Sequence, residues 1–518
     1  MSSILILGSK KIGLLRTKGK KITQTHISKS AWAYVRSGIM TSKSYLQRIN
    51  TSSRLLIAFL ALFVTMLCWS LSSPAPAGYD ATYHLGNIWC AQGEKPNICE
   101  KIETINGQRF GLVPKTLVSG NESSDTALTL LASDASKSPF YSIMNFFVGE
   151  NVTQSVLTLR AINGLITASL ITALVFFSRG KMRIAVVSAL TFTINPVIIS
   201  TLWQPNPRSW GYLSVISGWA FLKMALNETI DTRRKIWLWT LFIISCLLAF
   251  LSRRDATLFL LFTCAVVTTT DLWKRNHLKT KYLLPVFGSS ALIFYIVRSN
   301  SQILSSYTRF SFSEILSNNE TIFVLVHLPE NILDAFGLGL RYQELGPNSV
   351  GLIGVVLYFI ALSSWLRNVS RTQIIPVALT SFFLFSVMFQ IAYNWPENNE
   401  ASGVYTAALL TVILGLSAAN SELDFFFPLS ITNRVMAIGL LSLAHALTVY
   451  ARFESSVKES EIPNTYSDLS LSGGWWWNWS IGPNSIFALA STAFLIWLIS
   501  IWSLIPATTK PLTSGAYS

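Results

Sequence analysis

Residues 55–71 read LLIAFLALFVTMLCWSL, seventeen positions without a charge. An α-helix needs about 18–25 mostly apolar residues to cross a bilayer. With its flanks this run meets that length as a span near 54–72. Hydrocarbon offers no partner for a backbone N–H or C=O, so the segment must close its own hydrogen bonds as a helix. Similar runs follow near 156–177, 184–203, 209–226, 236–252, 256–273, 282–297, 350–366, 374–395, 403–419, 435–451 and 486–506. The fold class expected is therefore an all-α integral membrane protein of about twelve helices.

The composition of the 518 residues agrees: 51% are hydrophobic and 13% charged, and the mean hydropathy is +0.45. Soluble domains carry about 25% charged residues. The net charge of +15 invites a nucleic-acid reading, but its placement excludes one. Residues 1–53 hold Lys10, Lys11, Arg16, Lys18, Lys20, Lys21, Lys29, Arg36, Lys43 and Arg48 and no acid. A basic tail beside the first span is the cytoplasmic anchor that the positive-inside rule requires, and it lies near anionic lipid.

That anchor sets an orientation. Every second connection is then cytoplasmic, and these carry Arg179, Lys181 and Arg183; Arg233, Arg234 and Lys235; Lys274, Arg275, Lys279 and Lys281; Arg367 and Arg371. The connection 420–434 is poorer in cations. The expected organisation is a cytoplasmic tail (1–53), a membrane domain (54–507) with outer loops 73–155, 298–349 and 452–485, and a cytoplasmic tail (508–518). The location expected is the plasma membrane, with both termini in the cytoplasm.

The first outer loop begins with GYDATYHLGNIWC (78–90), where Asp80 is the first acid of the chain. Asp80 and His84 are spaced i, i+4, so a helix places them on one side. A carboxylate beside an imidazole suits a base with a positioning neighbour, or two metal ligands. Cys90 and Cys99 lie close enough to bridge, which requires an oxidising compartment. Cys68, Cys246 and Cys264 sit inside apolar runs and are read as packing residues.

Two further outer features carry charge. Ser252-Arg253-Arg254-Asp255 places two arginines on the outer side, against the positive-inside rule. A guanidinium offers a planar fork that fits phosphate, and Asp255 is placed to hold one of them. In Gln204-Pro205-Asn206-Pro207-Arg208 the prolines stiffen a tight turn that aims Asn206 and Arg208. Trp475-Trp476-Trp477-Asn478-Trp479 reads as an interfacial aromatic belt, with Trp476 a candidate for stacking on a sugar ring. There is no GxxxxGK[ST], HExxH or CxxC in the chain. Neither an ATP site of that type nor another cofactor is expected, and a divalent metal remains possible.

Four stretches, GYDATYHLGNIWC, SVLTLRAINGLI (155–166), NPRSWGYLSVISGWA (206–220) and SRRDATLF (252–259), resemble the domain of unknown function 2142 family. That family is similar to the GT-C class of membrane glycosyltransferases. The resemblance covers roughly residues 50–506. Members often carry Asp-Glu ahead of the loop histidine, where this chain has Asp80-Ala81. The resemblance implies a polyprenyl-phosphate-linked sugar as donor, an envelope glycan or lipid as acceptor, and an acid in the first outer loop acting as base or metal ligand. It also implies basic residues that grip the donor phosphate. Two other classes stay open: a transporter or flippase, for which Asn163, Asn195, Lys223 and His445 are the mid-span candidates and Asn195-Pro196 a helix break, and a non-catalytic envelope-assembly protein.

Overall fold

The computed structural model describes residues 50–74, 81–119, 126–132, 138–227, 230–275, 333, 335–336, 348–366, 371–394, 402–421, 431–458 and 481–505. Asp80, Trp476, the tail 1–49 and the expected span 282–297 lie outside them, as does the side chain of Arg254.

The protein is mostly helical. Among the described residues, six helices are long and apolar enough to cross a membrane: α1 (Thr51–Leu71), α5 (Val152–Phe177), α9 (Thr232–Ser252), α10 (Arg254–Arg275, apolar over Asp255–Leu272), α14 (Ile431–Lys458, apolar over Ile431–Glu454) and α15 (Pro483–Ser503). Each coincides with an expected span. Four more helices fall where spans were expected: α8 (Pro207–Ala225), α11 (Asn348–Trp365), α12 (Arg371–Asn394) and α13 (Ser402–Asn420). The expected span 184–203 is instead two helices, α6 (Gly180–Thr193) and α7 (Pro196–Leu202). The break has a local cause. Pro196 cannot donate to the helix, and the Asn195 side chain caps the new one by accepting from the Ile198 N–H at 3.0 Å.

Side-chain caps also fix several other helix starts. Asn151, Asn206 and Asp231 each accept a backbone N–H at the start of α5, α8 and α9, satisfying donors that a helix start leaves open. Proline at the first position of α8 adds a preset φ.

Helix α8 is the centre of the bundle, packed by α5, α9, α10 and α13. Every residue of it except Arg208 and Lys223 is buried. A helix apolar or small on all sides belongs in a core, and these two cations stand at its opposite ends. Fifteen residues separate them, roughly 22 Å of helix rise. Gly218 and Gly415 permit the tight crossings: a Cβ on Gly218 would meet Leu260, and one on Gly415 would meet the Trp219 ring. Helix α1 lies between α5 and α15, and Arg54 donates to the Ser503 carbonyl at 2.9 Å.

The connection between α1 and α5, expected as the first outer loop, is folded over its described residues. It holds α2 (Ala81–Trp89), β1 (Lys101–Ile105), β2 (Gln108–Pro114), α3 (Thr116–Ser119), β3 (Thr126–Leu130) and α4 (Pro139–Asn145). The strands form an antiparallel sheet in the order β1-β2-β3. The all-α expectation thus holds for the bundle, and this small sheet departs from it. The expected loop boundaries also shift: α5 begins at Val152, inside 73–155, and α14 runs to Lys458, inside 452–485.

Candidate functional site

Helix α2 is held from three sides, and that clamping positions His84. The Asn87 amide donates to the Tyr83 carbonyl at 2.7 Å, and its oxygen accepts from the Ala132 N–H at 2.7 Å. The Asn145 amide of α4 closes the C-terminal end of α2, donating to the Ile88 carbonyl at 2.7 Å and the Trp89 carbonyl at 3.2 Å. Cys90 and Cys99 form a disulfide just beyond. Gly86 lies so close to Thr129 of β3 that a Cβ would sit 2.3 Å from its methyl. The folded loop is fastened to the bundle by Ser138, which donates to the Leu251 carbonyl at 2.9 Å and contacts the Ser252 carbonyl. Phe140 adds an edge contact on Trp210 at 4.8 Å.

His84 is 3% exposed. Its Nδ1 shares a hydrogen bond with the Tyr141 hydroxyl at 2.9 Å. Its Nε2 is buried and has no hydrogen-bond partner among the described residues. Burial first, and then the charges of Arg208 and Arg253, hold the His84 pKa well below the ordinary histidine range. The ring is neutral at pH 7 and retains one nitrogen to offer. It borders a cavity of about 10 Å³, shared with Arg160, Trp203 and the turn Gln204-Pro205-Asn206. That is about the room one water needs.

The structure therefore brings His84, Asn206, Arg208 and Arg253 to one end of the bundle. Arg208 follows the Asn206 cap at the start of α8, and Asn206 Oδ1 accepts from the Arg208 N–H at 2.9 Å. Arg253 is the extended residue between α9 and α10. Asp255 holds it through an ion pair of 3.1 Å and also accepts from the Ala256 N–H at 2.8 Å.

Arg160 was not among the expected site residues. It is 2% exposed and donates to the carbonyls of Ser70, Ser73 and Pro74 at 2.7, 3.1 and 2.9 Å. Its guanidinium stacks on Trp203, 4.7 Å from the ring centroid. This one side chain ties off the end of α1. A lone arginine inside an apolar run was the signal that would have found it. Tyr141 carried no comparable signal. Asn163, expected at mid-span, instead links the Trp210 indole (3.0 Å) to the Gln204 carbonyl.

Among the described residues, no three His, Cys, Asp or Glu side chains gather in a way that would hold a metal ion. No protein-family model, curated protein or solved structure matches the chain.

Proposed function

We propose that the protein is a membrane glycosyltransferase of the plasma membrane, with both termini cytoplasmic, moving a sugar from a polyprenyl-phosphate donor to an envelope acceptor at the outer face. The observation that carries this reading is the convergence of a neutral, half-satisfied His84 with Arg208 and the Asp255-held Arg253 at one membrane end. Two guanidiniums suit an anionic leaving group, and a lipid-borne donor needs no nucleotide motif.

In the proposed reaction the acceptor hydroxyl passes its proton to Asp80. Its oxygen forms a bond to the anomeric carbon as the carbon–oxygen bond to the phosphate breaks. The departing lipid phosphate keeps that electron pair, and Arg208, Arg253 and Arg254 stabilise the charge. His84, fixed by Tyr141, orients the acceptor or the carboxylate through Nε2, and Trp476 stacks on the sugar. The test is Asp80→Asn and, separately, Arg253→Gln in cells whose envelope glycans are profiled. Loss or truncation of one glycan is expected for both, with protein levels unchanged. An unaltered profile in both variants overturns the reading.

A flippase or transporter is the second reading, favoured by the Asn195-Pro196 break between α6 and α7, since transporters place substrates at interrupted helices. Flipping of a lipid-linked sugar in liposomes, undiminished by Asp80→Asn, would select it.

A further inference from the structure

A cavity lies at the other end of α8. It measures about 540 Å³, within the range of ligand sites, and is bordered by the cations Arg179, Lys181, Lys223 and Arg234. The acids at its wall are Asp231 and Asp271. Both have work already. Asp231 caps α9 by accepting from the Arg234 N–H at 2.9 Å, and Asp271 lies 3.8 Å from the Lys223 ammonium. Arg179 and Lys181 form no ion pair among the described residues. Arg179, Arg183 and Arg234 lie near enough for their charges to act on one another. Like charges gathered this way repel one another, a cost that a bound anion would offset.

A second feature points the same way. Arg179 occupies the cap position of α6 with no side-chain cap. The first turn of that fourteen-residue helix, through Lys181 and Met182, borders the cavity. Open N–H groups and the positive end of the helix dipole bind anions, phosphate above all. Two amides, Asn227 and Asn420, supply neutral hydrogen-bonding groups on the wall. Connectivity fixes the location. Helix α8 runs from Arg208 at the His84 end to Lys223 here, α9 returns, and α10 comes down again to Asp271. The cavity therefore belongs to the end that loop charge assigns to the cytoplasm.

We infer that this cavity binds a phosphate-bearing anion, gripped by Arg179, Lys181, Lys223 and the α6 N-terminus. The inference stands apart from the reading of the outer end and survives if that reading fails. The anion comes either from the headgroup of an anionic phospholipid or from a soluble phosphate. Both are tested on the full-length protein in detergent. Retained phosphatidylglycerol is measured by native mass spectrometry, and stabilisation by inorganic phosphate by thermal unfolding. The variant is Arg179→Gln with Lys181→Gln, both at exposed positions. The control is Arg233→Gln with Lys235→Gln, an equal loss of charge outside the cavity.

Retention, or phosphate affinity, is expected to fall about tenfold in the variant and to hold in the control. Loss of lipid retention alone identifies a headgroup, and loss of phosphate stabilisation alone identifies a soluble ligand. An equal fall in variant and control, or no change in either measurement, overturns the site.

Discussion

A histidine kept neutral by its surroundings records its state in the stability of the whole fold. His84 in the unfolded chain titrates near 6.5, whereas in the folded protein its pKa lies well below that value. As pH falls through about 6.5 the unfolded chain takes up a proton that the folded one refuses. Stability contributed by this residue is therefore complete above about 6.5 and is lost as pH falls, by about 1.4 kcal/mol per pH unit, down to the folded pKa. The unfolding midpoint should drop between pH 7.5 and 5.5, and His84→Gln should shrink that drop. An identical drop in the variant would show that His84 is not held neutral. At this scale the chain was only partly readable. Arg253 announced itself by breaking the charge rule, and Cys90 and Cys99 by proximity. Tyr141 and Trp203 reach the site only through tertiary folding, and nothing adjacent to either in sequence predicts its neighbours.

Among the elements, the crossing of α8 and α13 is tight enough to test. A Cβ on Gly415 would stand 2.3 Å from the Trp219 ring. Gly415→Ala is expected to destabilise the protein by about 1–3 kcal/mol, the usual cost of overpacking. In a Trp219→Leu background the same change should cost less, and a double-mutant cycle on unfolding midpoints measures the coupling. Additive effects would place the ring elsewhere. Long apolar helices were legible because bilayer thickness sets their length. The β1–β2 hairpin was also written in the chain: Asn106 (φ 51°) and Gly107 (φ 78°) form its turn, the Asn-Gly pair that a tight hairpin favours. The long first loop obscured it. The split of the third span followed from Asn195-Pro196, where cap chemistry outweighed hydropathy.

For the molecule as a whole, the two charged ends of α8 give the orientation a direct test. Gln108→Cys, on the hairpin of the outer loop, should react with a membrane-impermeant maleimide on intact cells. Lys181→Cys should react only after permeabilisation. The reverse pattern would invert the topology. The native thiols interfere little once the half-buried Cys246 is replaced by Ser, since Cys90 and Cys99 are bridged and Cys68 and Cys264 are buried. The bundle was legible at this scale through its apolar runs. The centrality of α8 was not, because its serines and glycines make it look less membrane-like than the helices that surround it.

The contact of α1 with α15 also sets a schedule for biogenesis. The carbonyl that Arg54 binds belongs to a residue 449 positions downstream. The indole of Trp69 donates to His445, 376 positions downstream, at 2.8 Å. At about 5–20 residues per second, the first helix is made roughly 20–90 s before the last partner exists. Until then the Arg54 guanidinium at the start of α1 cannot make its bond to the Ser503 carbonyl. A chain stalled before α15 therefore lacks the Arg54 bond, and its first helix is fixed in place only when the last is made.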